Sequence, residues 1–216
     1  MYNMESMIDH TLLKPDANKD SIEKLCVEAK KYNFFAVCVN PYYIESCKEL
    51  LKDSNVKIAT VIGFPLGANT KESKAFEAMD AINKGADEID MVINIGALKN
   101  EEYEIVKEDI KAVVHAVNNK GLVKVIIETS LLTDDQKVKA CEISMEAGAE
   151  FVKTSTGFTT NGATVEDVKL MKAIVKDKLG VKASGGIRNV KTAHGMIRAG
   201  ASRLGTSSGV GIIKEI

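Results

Sequence analysis

Short runs rich in Val and Ile alternate along the chain with longer segments in which apolar residues recur every three or four positions. The first kind fits buried strands and the second amphipathic helices, so the alternation predicts parallel strands joined by crossover helices. Eight strand segments are predicted, at 7–13, 35–40, 57–63, 88–95, 123–129, 151–154, 181–184 and 203–206. Between them, SIEKLCVEAKKY, TKESKAFEAMDAINKG, EEYEIVKEDIKAVVHAVNN, DDQKVKACEISMEAG and TVEDVKLMKAIVKDKLG each read as one helix, with acidic residues early and Gly or Asn at the stop. Three stops, NKGADEIDMV, EAGAEFVKTS and RAGASRLGTS, run Gly-Ala into the next strand, an internal repeat that implies a shared tight turn.

Eight strand-helix units at ordinary element and loop lengths need about 190 residues. That nearly exhausts the 216 present, so the expected architecture is a single (β/α)8 (TIM) barrel domain over 1–216, with its active site on the loops after the strand C-termini. An open doubly wound sheet is the alternative; its nucleotide fingerprint is missing from the first turn, which reads HTLLKP.

Alternation of side chains along a strand divides each one into a helix-facing and a lumen-facing set. Across the fourth to seventh strands the less apolar set contains Asp90, Lys124, Glu128, Lys153 and Lys182. A lumen filled only for packing holds Val, Ile and Leu, and buried charges are rare unless paired or functional. A polar site inside the barrel mouth is therefore expected. Lys153 is favoured as its centre because it lies two residues before the loop STGFTTNGAT, although a lone lysine at a strand end commonly reaches to solvent. Lys182, like Lys57 and Lys124, follows a Val near its strand start, so all three equally fit a lower rim. Asp90 fits a proton-transfer group or a neutralising partner, and Glu128 fits either an orienting role or solvent. A lysine crowded by a second cation in a desolvated site loses its proton more easily, and the neutral amine is the nucleophile a Schiff-base enzyme needs.

Composition narrows the partners. Lys plus Arg number 29 against 30 Asp plus Glu, a net charge of −1, which lacks the basic footprint of a nucleic-acid or membrane-surface binder. Hydrophobic residues at 45% and charged residues at 27% are ordinary globular values. Cys26, Cys38, Cys47 and Cys141 form no C-x-x-C pair and read as reduced, buried thiols. The N-terminus, MYNMESMIDHTLLKP, lacks a basic start and apolar core, and no stretch is long enough for a membrane span, so a cytoplasmic protein is expected. His10, His115 and His194 are far apart in sequence, and no metal or cofactor is expected.

Two small-residue turns, Ser184-Gly185-Gly186-Ile187-Arg188 and Gly205-Thr206-Ser207-Ser208-Gly209, follow the seventh and eighth strands. Those are the loops that frequently bind phosphate in (β/α)8 enzymes, because glycines let backbone N–H groups approach an anion. Arg188 is placed to contact the anion or to support its loop.

The segments Ile8-Asp9-His10-Thr11-Leu12-Leu13, Asp87-Glu88-Ile89-Asp90-Met91-Val92, Phe151-Val152-Lys153-Thr154-Ser155-Thr156-Gly157 and Val181-Lys182-Ala183-Ser184-Gly185-Gly186-Ile187-Arg188 resemble the deoxyribose-phosphate aldolase family, in its order and spacing. The resemblance implies a metal-free class I aldolase of deoxyribose catabolism that reversibly cleaves 2-deoxy-D-ribose 5-phosphate into acetaldehyde and D-glyceraldehyde 3-phosphate. It implies Lys153 as the Schiff-base lysine, Lys182 rather than Lys124 as the second amine, and Asp90 as proton donor and acceptor. It also implies Gly185, Gly186, Gly205, Ser207 and Ser208 as the phosphate cradle, and a homo-oligomer, taken as a homodimer. Some members end in a tail whose Tyr reaches the site; this chain ends Lys214-Glu215-Ile216, so proton transfer is expected to rest on Asp90, Lys182 and water. Another Schiff-base barrel aldolase acting on a different phosphosugar, or a noncatalytic phosphosugar-binding barrel, are the alternatives.

Overall fold

The computed structural model describes residues 3–216; Met1 and Tyr2, at the head of the N-terminal stretch read above, lie outside the described residues. Eight parallel strands pair in sequence order and close on themselves: β1 (Ile8–Leu12), β2 (Ala36–Val39), β3 (Lys57–Ile62), β4 (Glu88–Val92), β5 (Leu122–Ile126), β6 (Phe151–Lys153), β7 (Gly180–Ser184) and β8 (Arg203–Thr206). The last pair, β1 with β8, sets Asp9 beside Gly205. Around this (β/α)8 barrel lie α1 (Lys19–Lys31), α2 (Ile44–Leu51), α3 (Lys71–Lys84), α4 (Ile95–Lys99), α5 (Tyr103–Val117), α6 (Asp134–Glu146), α7 (Val165–Val175), α8 (Val190–Ala199) and α9 (Gly209–Lys214). No helix among the described residues is long and apolar enough to cross a membrane.

Local chemistry accounts for the helix ends. Side chains of Asn18, Thr70, Thr133, Thr164 and Asn189 accept hydrogen bonds from the third amide of the helices they precede, which satisfies donors that the first turn leaves unpaired. The Gly-Ala phrases are one motif used three times. Gly85, Gly148 and Gly200 hold φ values of 111°, 84° and 114°, and the amides of Ala86, Ala149 and Ala201 donate back to Ala81, Ser144 and Met196. This is the left-handed helix stop for which glycine carries no Cβ penalty.

Two strands end three residues short of the predicted segments. β4 stops at Val92 because Asn94 caps a short helix, its Oδ1 accepting from the Ala97 amide at 3.1 Å. β5 stops at Ile126, and Glu128 then turns into the left-handed region at φ 54°. α7 also stops at Val175, where Lys176 takes φ 49°.

On β4 to β7 the helix-facing set is apolar and covered, with Ile89, Met91, Val125, Val152, Val181 and Ala183 at zero exposure. One polar pair is sealed in the outer layer. Lys74 of α3 donates to Asp109 of α5 at 2.5 Å with both side chains buried, and such a pair is costly to break from one side because the remaining charge is stranded.

At the lower end the barrel is plugged by rings rather than by aliphatic layers. The Arg203 guanidinium lies 3.5 Å from the centre of the Phe35 ring and 5.5 Å from that of Phe151. Gly180, paired with Phe151 across β6 and β7, leaves room for that ring: a Cβ there would lie 2.2 Å from it. Gly180→Ala is therefore expected to lower stability by roughly 1–3 kcal/mol, the usual cost of overpacking. A urea unfolding midpoint equal to that of the unsubstituted protein would contradict this account of the floor.

Candidate active site

Paired residues on neighbouring parallel strands point to the same side of the sheet. Asp90 pairs with Lys124, Lys153 with Lys182, and Lys182 with Arg203, so these side chains all enter the lumen. Asp9 of β1 and Glu88 of β4 join them from the same parity.

Six of these groups form a closed ring of alternating charge. The Asp90 carboxylate accepts from Lys182 Nζ at 2.8 Å, and Lys182 also donates to Asp9. Asp9 Oδ1 accepts from Arg203 at 2.8 Å, and Arg203 in turn bonds Glu88 Oε2 at 3.1 Å. Lys124 closes the circuit, 2.6 Å from Glu88 and 2.7 Å from the other oxygen of Asp90. Three carboxylates and three cations thus balance. Lys153 stands outside the ring, attached by a single 2.8 Å contact to Asp90 Oδ2, the oxygen that Lys182 already uses.

Burial and charge set the protonation of these groups. Burial disfavours the charged form of Lys153 most strongly, Asp90 opposes that, Lys182 adds to it, and the amine ends below the ordinary lysine value. Lys182 is also driven down by burial, but Asp9 and Asp90 outweigh it and hold the ammonium firmly charged. Burial would raise Asp90; the ammonium groups of Lys124, Lys153 and Lys182 prevail and keep its carboxyl well below the usual range. Asp9 is lowered in the same way, with Lys182 and Arg203 prevailing over burial.

Lys153 opens onto a cavity of about 400 Å³, whose wall includes Thr11, Lys14, Thr156, Phe158, Gly185, Gly186, Arg188, Gly205 and Ser207. Lys182 and Asp90 are fully buried beneath it and do not line that wall. Gly185 and Gly186 hold φ values of 86° and 77°, a backbone path that favours glycine, and the space where a Cβ of Gly186 would sit is empty. Gly205 lies within β8 and has a second use: a Cβ there would come within 3.0 Å of Lys182 Cε, so the glycine leaves a passage for the lysine stem. Ser208 stands behind the wall, its amide donating to Thr206 Oγ1 at 2.9 Å.

The lower-rim reading suits Lys57 alone, which is exposed and paired with Asp87. Lys124 and Lys182 are sealed inside. Glu128 is buried but is neither in the ring nor in solvent. Its carboxylate accepts from the Thr156 amide and hydroxyl and from Thr159, which ties down the loop after β6. Sequence reasoning passed over Asp9, Glu88 and Arg203. Glu88 shares the parity of Asp90 and was open to the same test, whereas Asp9 and Arg203 meet only because β1 closes on β8. His115 and His194 lie in α5 and α8, and Cys38 faces the lumen in a small apolar cluster with Leu13, Ala59 and Val61.

Residues 4–215 match the model of the DeoC/LacD family aldolases. Deoxyribose-phosphate aldolase of Clostridium perfringens is 62% identical over 97% of this chain and 93% of its own, and that of Clostridium tetani is 61% identical over 98% of each. Among solved structures, the tetrameric deoxyribose phosphate aldolase of Aeropyrum pernix superposes with a TM-score of 0.91 at 36% identity, covering 98% of this chain and 90% of that one.

The depressed carboxyls give the cluster an acid dependence. Asp9 and Asp90 titrate lower in the folded chain than their ordinary value of 3.8, so the stability they contribute is complete above that value and is lost as pH falls through the folded ones. Urea midpoints are expected to decline from about pH 4 downward, and less steeply in Asp9→Asn. Equal slopes for the two proteins would count against it.

Proposed function

The chain belongs to the DeoC/LacD family of aldolases, and on that footing we propose that Lys153 is its Schiff-base nucleophile, Lys182 the cation that assists proton transfer, and Asp90 the proton donor and acceptor. The reaction is that of its relatives: reversible cleavage of 2-deoxy-D-ribose 5-phosphate into acetaldehyde and D-glyceraldehyde 3-phosphate. One observation carries the assignment of roles. Among the described residues, Lys153 is the one member of the buried charge cluster on the cavity wall, and it is the member with an amine below its ordinary value.

The neutral Lys153 amine attacks the C1 aldehyde, and loss of water gives an iminium. The iminium draws electrons, so the C2–C3 bond breaks as the C3 hydroxyl loses its proton, releasing glyceraldehyde 3-phosphate and leaving an enamine. Protonation of the enamine carbon and addition of water then free acetaldehyde and regenerate the amine. Protons moving to and from the nitrogen have Asp90 Oδ2 at 2.8 Å, shared with Lys182 at the same distance, a geometry within reach for general acid-base transfer. The phosphate rests on Gly185, Gly186, Gly205 and Ser207, with Ser208 supporting their turn and with Lys14 and Arg188 supplying positive charge at the same cavity. We attach to this reading a homodimer in the cytoplasm.

Borohydride reduction in the presence of acetaldehyde is expected to leave an adduct on the Lys153 peptide, absent from Lys153→Ala. A mass-spectrometric adduct confined to another lysine would overturn the assignment. Lys182→Leu is expected to lower kcat and to shift the rate profile to higher pH, because loss of a neighbouring cation lets Lys153 keep its proton longer. An unchanged profile would reduce Lys182 to a structural residue.

A further inference from the structure

The ring balances without Lys153. The sites that fix that balance extend far below the cavity, because Glu88 and Arg203 are the first residues of β4 and β8, at the floor, whereas Lys153 is the last residue of β6. Neither floor residue lines the cavity, and Arg203 is packed against the rings of Phe35 and Phe151. We propose that Glu88 and Arg203 are positioning residues for the reaction that act as opposed charges: each offsets the other at the floor, so the ring stays balanced and Lys153 remains the surplus cation.

Six of the eight strands supply the charges. β1 supplies Asp9, β4 Glu88 and Asp90, β5 Lys124, β6 Lys153, β7 Lys182 and β8 Arg203. β2 supplies Cys38, whose thiol burial pushes up, so it adds no charge. β3 presents Ala59 and Val61. Glu128, beyond β5, engages the amide and hydroxyls of the loop above. Seven ionic groups therefore share the buried lumen, four of them cationic, with Lys153 alone of the seven on the cavity wall, and a buried net charge is unfavourable unless it is neutralised. Lys182 and Lys124 each touch two carboxylates and Arg203 also touches two, while Lys153 touches one that is already doubly engaged. Lys153 is the member that releases a proton at least cost.

This balance makes a prediction with two signs. Replacing Glu88 by Gln removes a negative charge and increases the surplus, so the Lys153 amine should titrate lower. Replacing Arg203 by Met removes a positive charge and cancels the surplus, so the amine should titrate higher. At an effective dielectric near 20, a unit charge roughly 10 Å from an amine moves its titration by about one pH unit. The double substitution restores the balance and should bring the profile back close to its starting position.

The inference rests on reading Lys153 as the Schiff-base lysine, and the test separates the two. The pH dependence of borohydride-trapped acetaldehyde on the Lys153 peptide is measured by mass spectrometry for the unsubstituted protein, Glu88→Gln, Arg203→Met and the double variant, with circular dichroism as a check of the fold. Opposite shifts of about one pH unit, cancelling in the double variant, are expected. Shifts in the same direction overturn the proposal, because a merely loosened floor would admit water and move the amine toward its ordinary value in both variants. No shift overturns it as well. Should Arg203→Met fail to fold, Glu88→Gln decides by sign alone, being nearly the same shape. Absence of any adduct on Lys153 in the unsubstituted protein sinks the lysine assignment and the inference with it.

Discussion

The site depends on one constraint: an odd number of charges gathered in a buried lumen, with one of them at the cavity wall. Three carboxylates and three cations satisfy one another in a circuit around the lumen, and Lys153 is left over. Much of the architecture serves to keep that circuit closed. It links β1, β4, β5, β7 and β8, so it exists only when the sheet has curled until β1 meets β8. The covered apolar helix-facing residues of β4 to β7 give the barrel the rigidity that holds seven ionic side chains at hydrogen-bonding distance. Without it the charges would hydrate independently, and none would have reason to depart from its ordinary protonation.

The same constraint explains the small residues around the cluster. Gly205 lets the Lys182 stem pass, and Gly180 lets the Phe151 ring lie across the floor under Arg203. Gly185 and Gly186 work at the opposite end, shaping backbone that carries no side chain into the cavity. The lumen is accordingly polarised along its axis. Aromatic rings and a guanidinium seal the bottom, the ionic circuit fills the middle, and one amine with two glycine turns meets the cavity. Asp90 and Lys182, which set the protonation of the amine, lie beneath the cavity rather than on its wall.

How much of this the sequence disclosed follows from how local each feature is. The strand-helix alternation and the three Gly-Ala stops are local, and they were legible because each stop is made by backbone bonds spanning a few residues. Asp90, Lys124, Lys153 and Lys182 were legible as lumen residues from alternation alone. The fates of three lysines that follow a valine were not: Lys57 is solvent-exposed, Lys124 locks Glu88 to Asp90, and Lys182 bridges Asp9 and Asp90. Nothing local distinguishes them, since the difference is which strand stands alongside. Arg203 and Asp9 are separated by nearly the whole chain and meet only through closure. Glu128 misled for another reason. Its left-handed backbone takes it off the alternating pattern just where the strand ends, and its carboxylate serves the neighbouring loop.

A fourth carboxylate in the lumen would pair Lys153 and make a more comfortable core, because every buried charge would then have a partner. It would also hold the proton on the amine, removing the one lowered lysine on the cavity wall. The observed arrangement accepts a poorly compensated group at the one position open to the cavity, while the six groups below it are each bound twice or more. Strain of this kind is tolerated where the surroundings over-determine it, and a redesign that optimised stability alone would remove it first. The ring is what makes the exception tolerable: its closure confines the deficit to one side chain, so an electrostatic cost that would otherwise spread over the core is concentrated on the one nitrogen of the cluster that meets the cavity.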